Sequence, residues 1–359
     1  LFPGRLRGSS TSFLERSETP MKARLFFAIM LACLGAATLW AASTPSPSLL
    51  VLAKQDHILE IVDPATLKVV AKIPAGNDPH EVIASADGRR AYISNYGFGA
   101  YHTISVADLV TGEALPLIDL GALRGPHGLA FAGGELYFTA EVNKVVGRYN
   151  PATKKIDWIL GTGQDRTHMI VVSKDLTHIY TSNVNSGTIS IIEKVARSTA
   201  AGPPRGPEGW KITVIHTGMG TEGFDVSPDG REIWSAASQS GAISIIDIAA
   251  KKVVHTIDAR LTRANRLKFT PDGKRVFVSR LGGEGSDVAI FDAATRREVK
   301  RLSLGHGAGG ILMQPDGSRA YVACSPDNYV AVIDLKTLKE IGRIQTERGP
   351  DGMAWAVRK

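Results

Sequence analysis

Residues 221–258 read TEGFDVSPDGREIWSAASQSGAISIIDIAAKKVVHTID, and this stretch decides the fold. It contains four short, largely apolar runs joined by turns such as Ser227-Pro-Asp-Gly230. Short apolar runs bounded by Asp-Gly or Ser-Gly are typical of antiparallel strands connected by tight turns. A four-stranded unit of this size cannot bury both of its faces alone. The sequence therefore predicts that copies of the unit stack against one another.

Copies of this unit recur along most of the chain. Each begins with a characteristic residue pair, and successive starts lie 41 to 54 residues apart, which is the period of a four-stranded propeller blade. The longest spacing contains an Ala-, Gly- and Pro-rich stretch at 196–209, which predicts a surface loop. The starting pairs are Pro79-His80, Pro126-His127, Thr167-His168, Thr221-Glu222, Ala264-Asn265, Ala308-Gly309 and Pro350-Asp351.

The last copy stops after one strand, and the missing strands are found at the other end of the repeat region. Apolar runs at 49–52, 58–62 and 69–73 supply three strands that precede the first complete unit. We therefore expect residues 44–359 to form an all-β, seven-bladed β-propeller of four-stranded blades. Pairing of the C-terminal strand with the N-terminal segment closes the ring, which removes free sheet edges.

The residues before the repeats have the pattern of a targeting segment. Residues 1–20 show no apolar period, and we interpret them as a non-structural upstream segment. Residues 21–43 begin with Met21, Lys22 and Arg24, continue with an apolar run at 25–34, and end in small residues. This order favours a cleaved secretory signal peptide, although a membrane anchor is the alternative; the apolar run is short for a membrane span. The sequence thus predicts a periplasmic or secreted protein without a membrane span after cleavage.

Charge and cysteine content narrow the class of partner. Removing residues 1–42 takes away five basic and two acidic side chains, so the formal charge falls from +7 to +4. The remaining chain has no run of Lys or Arg and no interleaved aromatic stripe, so nucleic-acid binding is not favoured. Only Cys324 would remain, which excludes an internal disulfide. We expect a monomer that binds a small molecule or a protein.

A polar residue also recurs at the end of the third strand of each unit. Several of these residues are followed by Thr three positions later, as in Asp292-Ala-Ala-Thr295. Because they occur in every unit and at a turn, we interpret them as turn caps rather than as functional carboxylates. They are Asp63, Asp108, Asn150, Glu193, Asp247, Asp292 and Asp334.

Three features together resemble the YVTN-type β-propeller repeat family. These are Tyr92-Ile-Ser-Asn95 and Tyr180-Thr-Ser-Asn183, the Pro-Asp-Gly turns such as Ser227-Pro-Asp-Gly230, and the third-strand pattern Ile-Ser-Ile-Ile-Asp. The resemblance covers the chain from about Leu49 onward and departs from the pattern at 141–146 and 174–176. It implies a seven-bladed propeller. Such propellers include lactone hydrolases, ring-opening lyases, subunits of quinone amine dehydrogenases and binding proteins, so the fold alone does not select a function.

Equivalent positions of successive blades are expected to form rings around one mouth of the central channel. Nine His occur in 359 residues, yet three of them, His80, His127 and His168, occupy one ring position on consecutive blades. The remaining members of that ring are Glu222, Asn265, Gly309 and Asp351. A second ring, at the end of strand two, comprises Lys54, Asn95, Ala140, Asn183, Ala237, Arg280 and Cys324.

The three imidazoles have two interpretations. One is a ligand-binding or general-base cluster, because His titrates near neutral pH and binds metals when neutral. The other is a structural role, with each imidazole bonded to the neighbouring blade. Glu222, Asn265 and Asp351 suggest a site for one divalent metal ion, held as a hydrated hard cation. No other cofactor is indicated, and Cys324 without an adjacent base is interpreted as packing.

The second ring adds candidate ligand-binding residues. Lys54 and Arg280 suit an anionic or sugar-acid-like ligand, or they pair with Glu222 and Asp351. Asn95 and Asn183 complete the candidate set. The aromatic loop at 96–102 forms either a wall of the site or packing against the next blade.

Three functions remain open from the sequence. The first is an exported propeller that binds a small ligand or protein partner at the face carrying His80, His127 and His168. The second is a metal-assisted hydrolase or lyase of the lactonase type, with one of these His as the base. The third is an accessory subunit of a periplasmic redox system, with the cofactor in a partner chain.

Overall fold

Seven four-stranded antiparallel sheets are arranged in a ring in this protein, as a computed structural model shows. The structure describes residues 44–195, 209–282 and 287–359. The expected upstream segment at 1–20, the expected signal peptide at 21–43 and nearly all of the loop at 196–209 lie outside these residues. In the part of the chain that is described, no helix is long and apolar enough to cross a membrane.

The twenty-eight strands follow one another with short turns. Strands β1 to β14 are Ser48–Ala53, Ile58–Asp63, Lys68–Pro74, Pro79–Ala84, Arg90–Asn95, Thr103–Asp108, Glu113–Asp119, Pro126–Ala132, Glu135–Ala140, Val145–Asn150, Lys155–Gly161, Thr167–Val172, His178–Asn183 and Thr188–Lys194. Strands β15 to β28 are Trp210–His216, Thr221–Val226, Glu232–Ala237, Ala242–Asp247, Lys252–Asp258, Ala264–Phe269, Arg275–Arg280, Asp287–Asp292, Arg297–Ser303, Ala308–Met313, Arg319–Cys324, Tyr329–Asp334, Lys339–Gln345 and Pro350–Ala356.

Blade 1 closes the ring. It has the strand order β28-β1-β2-β3, so the C-terminal strand pairs antiparallel with the first N-terminal strand, for example Trp355 with Leu49. Blades 2 to 7 take four consecutive strands each, from β4–β7 to β24–β27. The first strands of neighbouring blades contact one another all the way around, so they line the channel. The predicted seven-bladed, closed, all-β architecture is confirmed.

The turns confirm the interpretation of the repeated polar residues as caps. Asp63 Oδ1 accepts the N–H of Ala65, and equivalent bonds recur in five other blades, as at Asp334. Glu193 is the exception, since its carboxylate binds Lys251 instead. In the first turn Gly230 has φ +72°, whereas Leu176 takes φ +60° where the repeat departs from Gly. A left-handed backbone favours glycine, so this departure is a local strain within an unchanged blade.

The outermost strands expose apolar side chains at bulges. Val70, Val254, Val299 and Ile341 each occupy the extra residue of a bulge in a fourth strand and are 41–52% exposed. A bulge interrupts the row of backbone donors and acceptors that an edge strand would offer to another chain. These irregularities therefore protect the outer edges of the ring from pairing with another strand.

Candidate functional site

A bulge at the start of every inner strand directs side chains into the channel. In blade 2, Pro79 pairs with Asn95 but Val82 pairs with Ile93, which leaves an extra residue in between. The same irregularity recurs at the inner strand of all seven blades. Bulges re-aim the side chains they carry. The ring residues predicted from the sequence are therefore the residues that this irregularity presents to the mouth.

Hydroxyl groups on the second strands fix the spacing of these bulges. Thr139 Oγ1 accepts the N–H of Gly128 at 2.9 Å and donates to the carbonyl of His168 in the next blade at 2.7 Å. Ser182 and Ser279 make the same two bonds in their own blades. Each hydroxyl ties one inner strand to the next, so neighbouring ring residues are held at short range.

The three predicted imidazoles form a continuous row at the mouth. The ring centroids of His80 and His127 are 5.1 Å apart, and those of His127 and His168 are 3.7 Å apart. All three side chains are buried. The row is long enough that its two ends meet different charged groups.

Lys54 and Asp351 meet the His80 end of the row. Lys54 Nζ lies 3.0 Å from His80 Nε2 and 3.0 Å from Asp351 Oδ2. An ammonium group only donates, so Nε2 accepts and Nδ1 carries the proton, which faces the Asp78 carbonyl at 3.2 Å. Burial, and next the charge of Lys54, lower the pKa of His80. His80 is therefore neutral at pH 7.

Two carboxylates meet the His168 end. His168 Nδ1 binds Glu141, and its Nε2 lies 3.4 Å from Glu222 Oε1. Burial by itself would lower the pKa of His168, but the two carboxylates outweigh burial and raise it. Burial and the neighbouring charge of His168 hold the pKa of His127 well below its usual value. The pKa values of the row are therefore shifted in opposite directions, down at His80 and His127 and up at His168.

Glu141 was not among the predicted site residues, yet it is the anchor of this end. Its carboxylate accepts the Tyr96 hydroxyl at 2.6 Å and lies 3.4 Å from Arg166 Nε. Burial would raise the pKa of Glu141, but the bond from His168 and the charges of His168 and Arg166 lower it. Glu141 is therefore ionised, and Tyr96 packs against the next blade. Phe98 of the same loop is instead 82% exposed.

An ion pair spans the channel below the row. Arg266 of blade 6 binds Glu81 of blade 2, although these blades are not neighbours in the ring. Glu222 Oε1 lies 3.9 Å from Arg266 Nη1 and accepts the Asn265 amide at 3.0 Å. Arg266 is only 6% exposed. Arg266 and Glu81 therefore form a charged floor across the channel.

Arg266 and Glu81 do not belong to either predicted ring, but the sequence does distinguish them. They occupy the position after the ring residue, where four blades have glycine because a Cβ there would meet the backbone of the next inner strand within 2.1 to 2.5 Å. The departures from glycine at this position are Glu81, Met169 and Arg266. A charged residue in a glycine position marks the channel floor.

Most polar residues of the second predicted ring bond to residues of their own blade. Asn95 bonds to Thr103 and Ser105, and Asn183 bonds to hydroxyls of its own blade. Arg280 Nη2 lies 3.3 Å from Asp287, within its own blade. Burial raises the pKa of Cys324 to about 11, so its thiol stays protonated. Lys54 is the second-ring residue that contacts the imidazole row, through His80 Nε2.

The residues suggested for a cation are brought together only in part. Glu222 and Asn265 are bonded to each other, whereas Asp351 binds Lys54. Across the described ranges, no group of three or more His, Cys, Asp or Glu side chains has the arrangement of a metal site. His168 and Arg266 face Glu222, and Lys54 faces Asp351. Both carboxylates are therefore already paired with basic side chains of the protein. The set does not fit a metal ion in this arrangement.

Comparisons with known proteins agree on the fold. No family model matches the chain, so membership of the YVTN repeat family stays a prediction. A seven-bladed beta-propeller protein of Mycobacterium tuberculosis is 26% identical over 145 residues, which cover 39% of this chain. The match spans about a third of the length of that relative, 33%.

Solved structures add the same conclusion at lower identity. Hydrazine synthase of Kuenenia stuttgartiensis superposes with a TM-score of 0.62 at 21% identity, over 77% of this chain and 89% of that one. A candidate 6-phosphogluconolactonase of Bacteroides uniformis gives 0.68 at 16% identity, over 87% and 99%. Similarity at this level shows the β-propeller fold alone.

Proposed function

We propose that this chain is an exported, non-catalytic propeller that binds a small anionic ligand at the channel mouth carrying His80, His127 and His168. The observation that carries the proposal is the direction of two ion pairs flanking the row. Lys54 is 29% exposed against 13% for Asp351, and Arg166 is 30% exposed against 6% for Glu141. In both pairs the cation faces outward and the carboxylate is buried, so the mouth offers positive groups to a ligand.

The hydrogen-bonding capacity at the mouth supports the same ligand class. An ammonium group has three N–H donors, and His80 and Asp351 engage two of those on Lys54. Guanidinium and ammonium groups bind carboxylates and phosphates through charge-assisted hydrogen bonds. The ligand is therefore expected to approach with its negative group toward the cations at the ends of the row, Lys54 at the His80 end or Arg166 at the His168 end.

A matched pair of lysine variants tests the proposal. Thermal unfolding of wild type, Lys54→Met and Lys174→Met is followed with a panel of small carboxylates, sugar acids included; Lys174 is exposed in the turn between β12 and β13, at the other end of the inner strands. We expect ligand-induced stabilisation in wild type and Lys174→Met and its loss in Lys54→Met. Equal stabilisation of both variants would refute an anion site at this mouth.

The state of His80 favours a second candidate, a hydrolase or lyase of the lactonase type. A neutral imidazole held through Nδ1 by the Asp78 carbonyl has the protonation state that a general base needs. Turnover of a lactone panel that disappears in both His80→Gln and His127→Ala would favour the enzyme. Turnover unchanged by these variants would exclude these His as the base. The accessory redox subunit stays a prediction, and no contact within residues 44–195, 209–282 and 287–359 favours it.

A further inference from the structure

Phe98 stands in solvent beside the imidazole row. It is 82% exposed, and its ring centroid lies 6.2 Å from that of His80 and 5.3 Å from that of Tyr96. Tyr96 in turn lies 4.8 Å from His80 and 5.0 Å from His127. An exposed phenyl ring forgoes the stabilisation that burial gives an aromatic side chain. The chain therefore keeps an apolar ring exposed beside the charged residues of the mouth at a cost in stability.

The backbone at Phe98 adds a second cost. Phe98 has φ +50° and ψ +38°, in the left-handed region that favours Gly, Asn and Asp. The loop is held there by its surroundings. The Gly97 N–H donates to Asp78 Oδ2 at 2.8 Å, and the Arg124 guanidinium donates to the carbonyls of Gly99 and Ala100. Turn residues such as Leu67 and Leu338 share this conformation, so it is the exposed ring beside His80, and not the backbone alone, that points to a role outside stability.

We propose that Phe98, supported by Tyr96, is the platform on which the anionic ligand stacks a ring. This inference rests on the proposed anion site and names its ligand class more closely. The imidazole of His80 contacts both Phe98 and, through Nε2, the Lys54 ammonium. The contact point for a ring at Phe98 and the contact point for a negative group at Lys54 are thus separated by the imidazole of His80. A single small molecule can span this separation. The ligand class is an aromatic or cyclic sugar carboxylate.

Three small carboxylate ligands distinguish the contribution of a ring to binding from that of the negative charge. Acetate carries the charge without a ring, benzoate adds an aromatic ring, and glucuronate adds a sugar ring. Calorimetric titration of the full chain with each is expected to show tighter binding of the two ring-bearing anions. Phe98→Ala should weaken these two about tenfold and leave acetate unchanged, because only the stacking contact is removed. Met219→Ala, which removes another exposed apolar side chain, 49% exposed, from a loop leading into an inner strand, serves as the control.

The outcomes distinguish this inference from the function on which it rests. Ring-bearing anions that bind no better than acetate, or equally well to Phe98→Ala, overturn the platform. If Lys54→Met still abolishes their binding in that case, the anion site stands. If Lys54→Met changes none of the three affinities, the anion site itself fails.

A stability measurement separates recognition from packing. Asn tolerates the left-handed conformation and is polar, so Phe98→Asn should keep or raise the thermal unfolding midpoint while it weakens benzoate binding. A lower midpoint would assign Phe98 to packing of the loop and would overturn the proposal. Phe98→Tyr is expected to restore benzoate binding because it restores the ring.

Discussion

The two halves of the channel share one backbone and differ in their side chains. Blades 2 to 4 place His80, His127 and His168 at the ring position, whereas blades 5 to 7 place Glu222, Asn265 and Gly309 there. The inner-strand bulge is the same in both halves, and both use a hydroxyl that joins one blade to the next. The repeat therefore fixes where a side chain is presented, and the chemistry of the mouth lies in the departures from the repeat.

The halves also depend on each other for charge. His168 belongs to one half, and one of the two carboxylates that face its imidazole, Glu222, belongs to the other. Arg266 and Glu81 repeat this arrangement across the floor. A buried charge is stable only when it is paired. Removing a charged side chain from one half therefore leaves an unpaired buried charge in the other half.

The largest effect on stability is expected when a buried carboxylate that pairs with several groups is removed. Glu141→Ala removes the acceptor of Tyr96, His168 and Arg166 from a buried position and should lower the free energy of unfolding by about 3–5 kcal/mol. Asp157→Ala, which breaks a more exposed pair with Arg148 in the same blade, should cost less than about 1 kcal/mol. Urea unfolding measures both. Similar losses for the two variants would show that the network contributes no more than a surface ion pair.

A smaller effect tests the shared backbone, by comparing inner and outer strands of blade 3. A Cβ at Gly128 would lie 2.4 Å from the His168 carbonyl oxygen, whereas one at Gly161 meets nothing within 4 Å. Gly128→Ala should therefore destabilise the fold by about 1–3 kcal/mol, since the next inner strand must move. Gly161→Ala is the matched control and should be close to neutral. Equal urea midpoints would mean that the blades tolerate wider spacing.

The smallest effect is the pH dependence of stability, which compares His168 with His127 within the imidazole row. The pKa of His168 is raised above 6.5, so its stabilisation is present below pH 6.5 and is lost as pH rises through the folded-state pKa. The advantage of wild type over His168→Gln in unfolding free energy should shrink above pH 6.5.

His127 should respond with the opposite sign. Its pKa lies below 6.5, so the unfolded state gains a proton first and stability falls as pH falls below 6.5. The comparison of wild type with His127→Asn therefore slopes in the other direction. Parallel pH profiles for the two variants would contradict the assignment of different protonation states to adjacent imidazoles.

The sequence predicted the ring with its exact starting points. The first residues of all seven inner strands, from Pro79 to Pro350, are those that the repeat alignment gives. It also brought the three His to one mouth, because they hold equivalent positions in consecutive units. It did not find Glu141, Arg166 or the contact of Arg266 with Glu81. Glu141 lies at 141–146, where the repeat departs from its pattern, so the repeat alignment assigns it no ring position.

The sequence alone determined the blade, the turn caps and the closure, because each depends on local turn chemistry and on a pattern that repeats along the chain. Only the tertiary structure decided which charges meet, such as Arg266 with Glu81 and Lys54 with Asp351. Arg266 and Glu81 come together across the ring, from blades 6 and 2, whereas Lys54 meets Asp351, 297 positions away, beside the pairing of β1 with β28. Pairing across a ring depends on three-dimensional distance, which no local pattern of residues encodes.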